Sequence, residues 1–168
     1  MKMRVVLAAI FLLGSAGIAH AQLRELACAG AWTMYGGRSE SGIPMCSMEV
    51  RNSHSSMHFK YFRGDNRIVV HVFKDNWRLN PGERVPIDLR IDSQPGWNAR
   101  TTVLRDGRGL EFTIPQNEIP RFENAFRMGI TMYLAFPLGG ESTWTVSLRG
   151  TNAVTSAFVE CMRIVNRS

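Results

Sequence analysis

Val85, Ile87, Leu89 and Ile91 alternate with Pro86, Asp88 and Arg90, the period-two pattern of a strand with one buried face. Patterns of this kind recur at short intervals with turn residues between them, and this regularity constrains the fold more than any other feature of the chain. Trp32-Thr33-Met34-Tyr35 reads as a short strand, with Gly36-Gly37 and then Ser39 to Pro44 as loop. Residues 45–51, 57–62 and 67–73 read as further strands, separated by Asn52 to Ser56 and by Arg63-Gly64-Asp65-Asn66. Ile68 to Phe73 is the most β-branched run in the chain. Asn80-Pro81-Gly82-Glu83 has its Pro and Gly well placed for a turn. Residues 98–104 and 110–114 flank Asp106-Gly107-Arg108-Gly109 as a hairpin, and residues 131–136 and 143–148 supply two more strands. Short strands at this spacing predict a mainly β fold, an antiparallel sandwich or a barrel-like sheet.

Two helices are expected beside the strands. Ile119, Phe122, Ala125 and Phe126 fall at helical spacing between a start at Asn117 or Glu118 and a glycine stop at Gly129. After the turn Arg149-Gly150, with Thr151 and Asn152 as N-cap candidates, Val154, Ala157, Phe158, Cys161, Met162 and Val165 form one face of a C-terminal amphipathic helix.

The chain opens with a basic Met1-Lys2-Met3-Arg4, an apolar run from Val5 to Leu13, and Ala19-His20-Ala21 before Gln22. This is the pattern of a secretory signal peptide cleaved after Ala21, leaving residues 22–168 as a single domain. Lipidation at Cys28 is disfavoured by the charged Glu25 in Glu25-Leu26-Ala27. The apolar run falls short of the ~20 residues that span a bilayer, and no other stretch approaches that length. Of the 20 basic and 14 acidic side chains, the leader holds Lys2 and Arg4 and no acid, so the remainder carries 18 against 14, a net charge of +4. The arginines are scattered singly, with no basic run and no basic-aromatic motif, so nucleic acid is not an expected partner. A mildly basic exported protein has acidic envelope surfaces among its candidate partners.

Three cysteines follow the leader: Cys28, Cys46 and Cys161. An oxidising compartment favours at least one disulfide and leaves one thiol over, and three pairings are open. Cys46 lies in a β-like run and Cys161 on an apolar helix face, so Cys46–Cys161 is the favoured pair. Cys28 is expected on a loosely ordered N-terminal segment, free or loosely paired.

The search for chemistry is mostly negative. The chain has no G-x-S-x-G elbow, P-loop, H-E-x-x-H or C-x-x-C motif, and no cofactor motif. Gly139-Gly140-Glu141-Ser142 lacks the strand-to-helix setting of a phosphate loop. Asp88 and Asp92 read as solvated carboxylates on one strand face. Met48, His54, Met57 and His58 gather thioether and imidazole in one region, the ligand set that suits copper(I), and make a candidate metal site. His54 and His58 need not converge, however, and Met57, Phe59 and Tyr61 share a strand face that reads as core. Of the four tryptophans, Trp32 and Trp144 read as core. Trp77 and Trp97 sit beside turns and are candidate exposed binding aromatics for a sugar or peptide.

Gly30-Ala31-Trp32-Thr33-Met34-Tyr35 followed by Cys46-Ser47-Met48, the turn Leu79-Asn80-Pro81-Gly82 leading to Ile87-Asp88 and Ile91-Asp92, and Phe122 to Gly129 followed by Val146-Ser147-Leu148-Arg149-Gly150 together resemble the invasion-associated locus B family of exported bacterial proteins. The resemblance implies a small periplasmic or surface-associated β-sandwich, linked in some members to host-cell entry, and no catalytic residues. The family usually has a cysteine where Tyr35-Gly36-Gly37 stands here, and a cysteine pair absent here around Asn98 to Phe112; Cys161 is a candidate replacement partner. The expected function is that of a non-enzymatic periplasmic or secreted envelope protein, with envelope components or a host protein as partners. A periplasmic copper-binding protein and a small secreted enzyme are the alternatives.

Overall fold

The computed structural model describes residues 22–167, so the expected signal peptide and its expected cleavage point fall outside the described residues. Ten strands run in chain order: β1 (Gln22–Ala29), β2 (Trp32–Arg38), β3 (Pro44–Arg51), β4 (Ser55–Phe62), β5 (Arg67–Lys74), β6 (Arg84–Ile91), β7 (Trp97–Val103), β8 (Gly109–Pro115), β9 (Thr131–Ala135) and β10 (Trp144–Ser147). A 3₁₀ turn (Gln116–Glu118) leads into α1 (Ile119–Met128), and α2 (Thr151–Arg167) follows β10. The strands form one antiparallel sheet in the order β1-β2-β3-β4-β5-β8-β7-β6-β9-β10, rather than two facing sheets.

One face of this sheet is apolar and carries both helices. Along β4, Met57, Phe59 and Tyr61 are buried while His58, Lys60 and Phe62 are only partly so, as the alternation in the sequence requires. Phe122 and Phe126, one turn apart on α1, reach down to Phe59 at ring distances of 5.3 and 5.4 Å. Trp32 meets Phe126 edge-on at 4.9 Å. α2 lays Val154, Phe158, Cys161 and Val165 against the β1–β3 side of the same face. Cys46 of β3 and Cys161 of α2 are joined by a disulfide with Cα atoms 6.0 Å apart, which pins the last helix to the sheet.

The sheet curls until its later strands meet its earlier ones. Trp32 Nε1, at the start of β2, donates to the Ser147 carbonyl at the end of β10 (2.9 Å). Beside it the turn after β1 presses on the turn after β10: a Cβ on Gly30 would lie 2.3 Å from the Arg149 carbonyl oxygen, and both glycines of these turns, Gly30 and Gly150, adopt positive φ.

Several local expectations change. The segment holding Cys28 is not loose: it is β1, paired with β2 along its length and bulged around Leu26. Cys28 is the free cysteine and is exposed. Gly36 and Gly37 continue β2 rather than ending it, paired with β1 and β3 on either side; a side chain at Gly36 would meet Leu26 Cδ1 at 2.6 Å and Cys161 Sγ at 3.3 Å. Gly129 ends α1 in an extended conformation, not a left-handed one; it is small because Ile91 and Leu148 close over it. Thr151 does not cap α2 through its N–H groups. Its hydroxyl is 2.7 Å from the carbonyl oxygens of both Phe126 and Leu148, tying the start of α2 to the end of α1. Asp92 leaves the strand face on which Asp88 sits. At φ 49° just past β6, its carboxylate accepts the backbone N–H of Ile130 and Thr131, fixing the entry to β9.

The disulfide makes a direct expectation. Cys161→Ser is expected to destabilise the domain by about 2–5 kcal/mol, the usual cost of losing a native disulfide from a small domain. Cys28→Ser, on an exposed edge strand, is expected to leave thermal stability within about 0.5 kcal/mol of the parent. Thermal melts of the two variants, with a non-reducing peptide map of the parent, check both.

Candidate functional site

The residues expected to bind metal do not converge. Met48 and Met57 lie on the buried face of the sheet with the core, His58 projects from the other face, and His54 stands in the exposed β3–β4 turn. Among the described residues no group of three or more His, Cys, Asp or Glu side chains is placed to hold a metal ion. The expected binding aromatics are also engaged. Trp77 is buried, stacks on Trp144 at 5.6 Å and meets Phe136 edge-on. Trp97 is half-buried: its indole N–H donates to Glu118 (2.9 Å), and Arg121 lies over its ring at 4.0 Å.

On the solvent-facing side of the sheet, strand register assembles a row that the sequence disperses. Glu49 (β3), His58 (β4), His71 (β5) and Glu111 (β8) stand directly opposite one another on successive strands. His58 Nδ1 is 3.0 Å from Glu49 Oε2, and His71 Nε2 is 2.7 Å from Glu111 Oε2. Lys60 Nζ lies 3.0 Å from His71 Nδ1, while Phe73 sits edge-on to both imidazoles. Burial pushes the His58 imidazole down to about 4 despite the opposing pull of Glu49. Burial and the neighbouring Lys60 push His71 down as well, and burial lowers Lys60. Both histidines are therefore neutral near pH 7. The row is a hydrogen-bonded seam that sets strand register, and its ring nitrogens are occupied by their neighbours.

An open concavity lies elsewhere, between β10 and the β3–β4 turn. Lys74, at the end of β5, sends its ammonium to both oxygens of Glu141 in the β9–β10 loop (2.7 and 2.8 Å). The indole N–H groups of Trp77 and Trp144 donate to the same carboxylate at 3.0 and 2.9 Å. Partial burial works to raise the Glu141 carboxyl, but the hydrogen bonds from Lys74, Trp144 and Trp77 outweigh it and hold the group below the usual carboxylate range. Glu141 thus stays ionised and spends its lone pairs on fixing the loop and two indoles. With Trp32–Ser147 at one end and Lys74–Glu141 at the other, β10 is laid across the ends of β2 to β5. Beneath it opens a groove of about 650 Å³, within the ~300–1,000 Å³ of ligand sites. Val50, Met57 and Val146 give it an apolar floor, and Asn52, Ser53 and Ser55 a polar rim.

Glu141 is the residue at this groove that the sequence does not single out. Its partners lie 64 and 67 residues upstream, and no local pattern marks the convergence.

Two outcomes are expected. For the histidine row, a folded-state value depressed to about 4 from the ordinary 6.5 means that the unfolded chain takes up protons first as pH falls. Stability is then present above pH 6.5 and is lost between 6.5 and about 4, by about 3 kcal/mol at most from His58. Denaturant midpoints measured across that range, in the parent and in His58→Gln, should show the decline and its flattening in the variant. For the groove, Glu141→Gln leaves the Lys74 ammonium without its counter-charge and is expected to cost about 1–3 kcal/mol. The loss should be accompanied by a shift in tryptophan emission, because the amide keeps one acceptor oxygen where the carboxylate offered one to each of Trp77 and Trp144.

Comparisons with models of protein families, with curated proteins and with solved structures find no match to this chain.

Proposed function

We propose that this is an exported, non-enzymatic binding protein of the bacterial envelope, and that the groove beneath β10 is its binding surface. The observation that carries the reading is the composition of that groove. An apolar floor and a rim of hydroxyl and amide groups suit recognition, while its carboxylate, Glu141, is held ionised and bound to three donors. A group so committed has no proton to give and no free lone pair with which to take one. Export is supported by the Cys46–Cys161 disulfide, the kind of bond that persists in oxidising compartments, and by the leader pattern in residues 1–21. No helix among the described residues is long and apolar enough to cross a membrane. The resemblance to the invasion-associated locus B family points the same way, toward the periplasm or cell surface and toward envelope integrity or host-cell interaction.

Intact mass of protein recovered from the periplasm of an expressing bacterium is expected to correspond to a chain beginning at Gln22. A mass that includes residues 1–21, or a lipid on Cys28, would sink the soluble-envelope reading. A deletion strain is expected to show heightened envelope stress or reduced host-cell entry, restored by the parent gene and not by a form lacking the leader.

A further inference from the structure

β10 is the last strand of the sheet and is paired on one side only. Its register decides which backbone groups remain. Leu148 N–H donates to the Ile130 carbonyl, and Leu148 and Ile130 are in the same register as Val146 with Met132 and Trp144 with Leu134. In an antiparallel ladder alternate residues bond to the neighbour, so Val146 and Trp144 spend their backbone groups on β9. Thr145 and Ser147 therefore turn theirs outward, into the groove. The Ser147 carbonyl is taken by Trp32 Nε1, which leaves the N–H and C=O of Thr145 and the N–H of Ser147. Both side chains are exposed, and Ser147 Oγ accepts the Arg149 N–H at 3.3 Å.

An unpaired strand edge lining a groove selects an extended backbone, because a partner strand alone offers donors and acceptors at the matching spacing. The opposite wall, the end of β3 and the β3–β4 turn, carries Arg51, whose side chain is 65% exposed and is paired with both oxygens of Glu49 at 3.3–3.4 Å. Lys74 and Glu141 neutralise one another within the groove, whereas Glu49, the partner of the exposed Arg51, lies outside the lining, so the charge presented to the groove is that of Arg51. We infer that the groove takes an extended, acidic peptide segment, added to the sheet as a short eleventh strand along β10, with a carboxylate side chain directed at Arg51. This rests on the binding reading given above and names the class of ligand for it. The Trp32–Ser147 hydrogen bond and the Lys74–Glu141 pair set the two ends of the docking edge, which limits the paired stretch to about four residues.

The probe is a blocked eight-residue peptide in which valine alternates with threonine and aspartate, titrated into the isotope-labelled protein. The expected result is saturable shifts of the Thr145 and Ser147 amide signals. The same peptide with alternate backbone amides N-methylated is expected to lose affinity about tenfold or more, since it cannot form the ladder. Thr145→Pro, which removes an outward N–H that the fold does not use, should weaken the parent peptide to a similar degree. Arg51→Glu should weaken the aspartate peptide and favour a version with lysine in its place. Should Thr145→Pro fail to fold, the N-methylated peptide still decides the question. Absence of shifts at millimolar peptide, or equal binding of the N-methylated form, overturns the proposal. If instead a linear amino-sugar tetrasaccharide shifts these signals and the peptide does not, the groove binds ligand but not a strand. The inference then falls while the binding reading stands.

Discussion

The indole of Trp32 joins two parts of the chain that are 115 residues apart. Its ring is fully buried between Phe59 of the sheet and Phe126 of α1, and its one polar atom reaches the far side of the core to the Ser147 carbonyl. A ten-stranded sheet with a single apolar face cannot remain flat, because that face would stay wet; it must curl around something. Here it curls around two helices, and Trp32 fixes how far. The position of β10 across the ends of β2 to β5 follows from that contact. The groove, in turn, exists because β10 crosses those strands instead of pairing with them.

The two faces of the sheet follow different physics. Inside, Phe59, Phe122, Phe126 and Trp32 interlock by area and shape, and the Cys46–Cys161 bond adds a covalent tie. Outside, β3, β4, β5 and β8 are matched by the Glu49–His58–His71–Glu111 row, where each side chain satisfies its cross-strand neighbour. A slip of one residue would put these carboxylates and imidazoles into the aromatic core, so the polar row resists misregister as firmly as the apolar one.

The strands were legible in sequence wherever one face is buried and the other wet, as along residues 57–62 and 85–91. β1 was not, because both of its faces are largely exposed and its conformation is imposed by β2, so no alternation marks it. Gly36 and Gly37 read as loop on composition, yet they are strand, paired on both sides by β1 and β3; they are glycine because Leu26 and the disulfide crowd Gly36 and the Gln22 carbonyl crowds Gly37. Both helices were legible from their apolar spacing. The site was far less so. His54 and His58 are close in sequence, but it is His71, thirteen residues on, that register sets opposite His58. Trp77 beside a turn suggested exposure, whereas Glu141 and Trp144 draw it inward from more than 60 residues away. Pairings across a sheet are fixed by topology, and topology leaves no mark on neighbouring residues.

Register also explains how one cysteine stays out of trouble. Cys28 stands opposite Thr33, and Thr33 opposite Glu49, so Cys28 belongs to the outer face, in line with the histidine row. Cys46 belongs to the inner face. A chain made from its N-terminus presents Cys28 and Cys46 to each other long before Cys161 exists, with only seventeen residues between them. The wrong bond is therefore the early one, and the right one waits for the last helix. Folding resolves this by geometry: once β1, β2 and β3 pair, the pleat turns the two early thiols to opposite sides of the sheet. The strand ladder thus acts as a sorting device for sulfur, keeping Cys46 in reserve until its distant partner arrives.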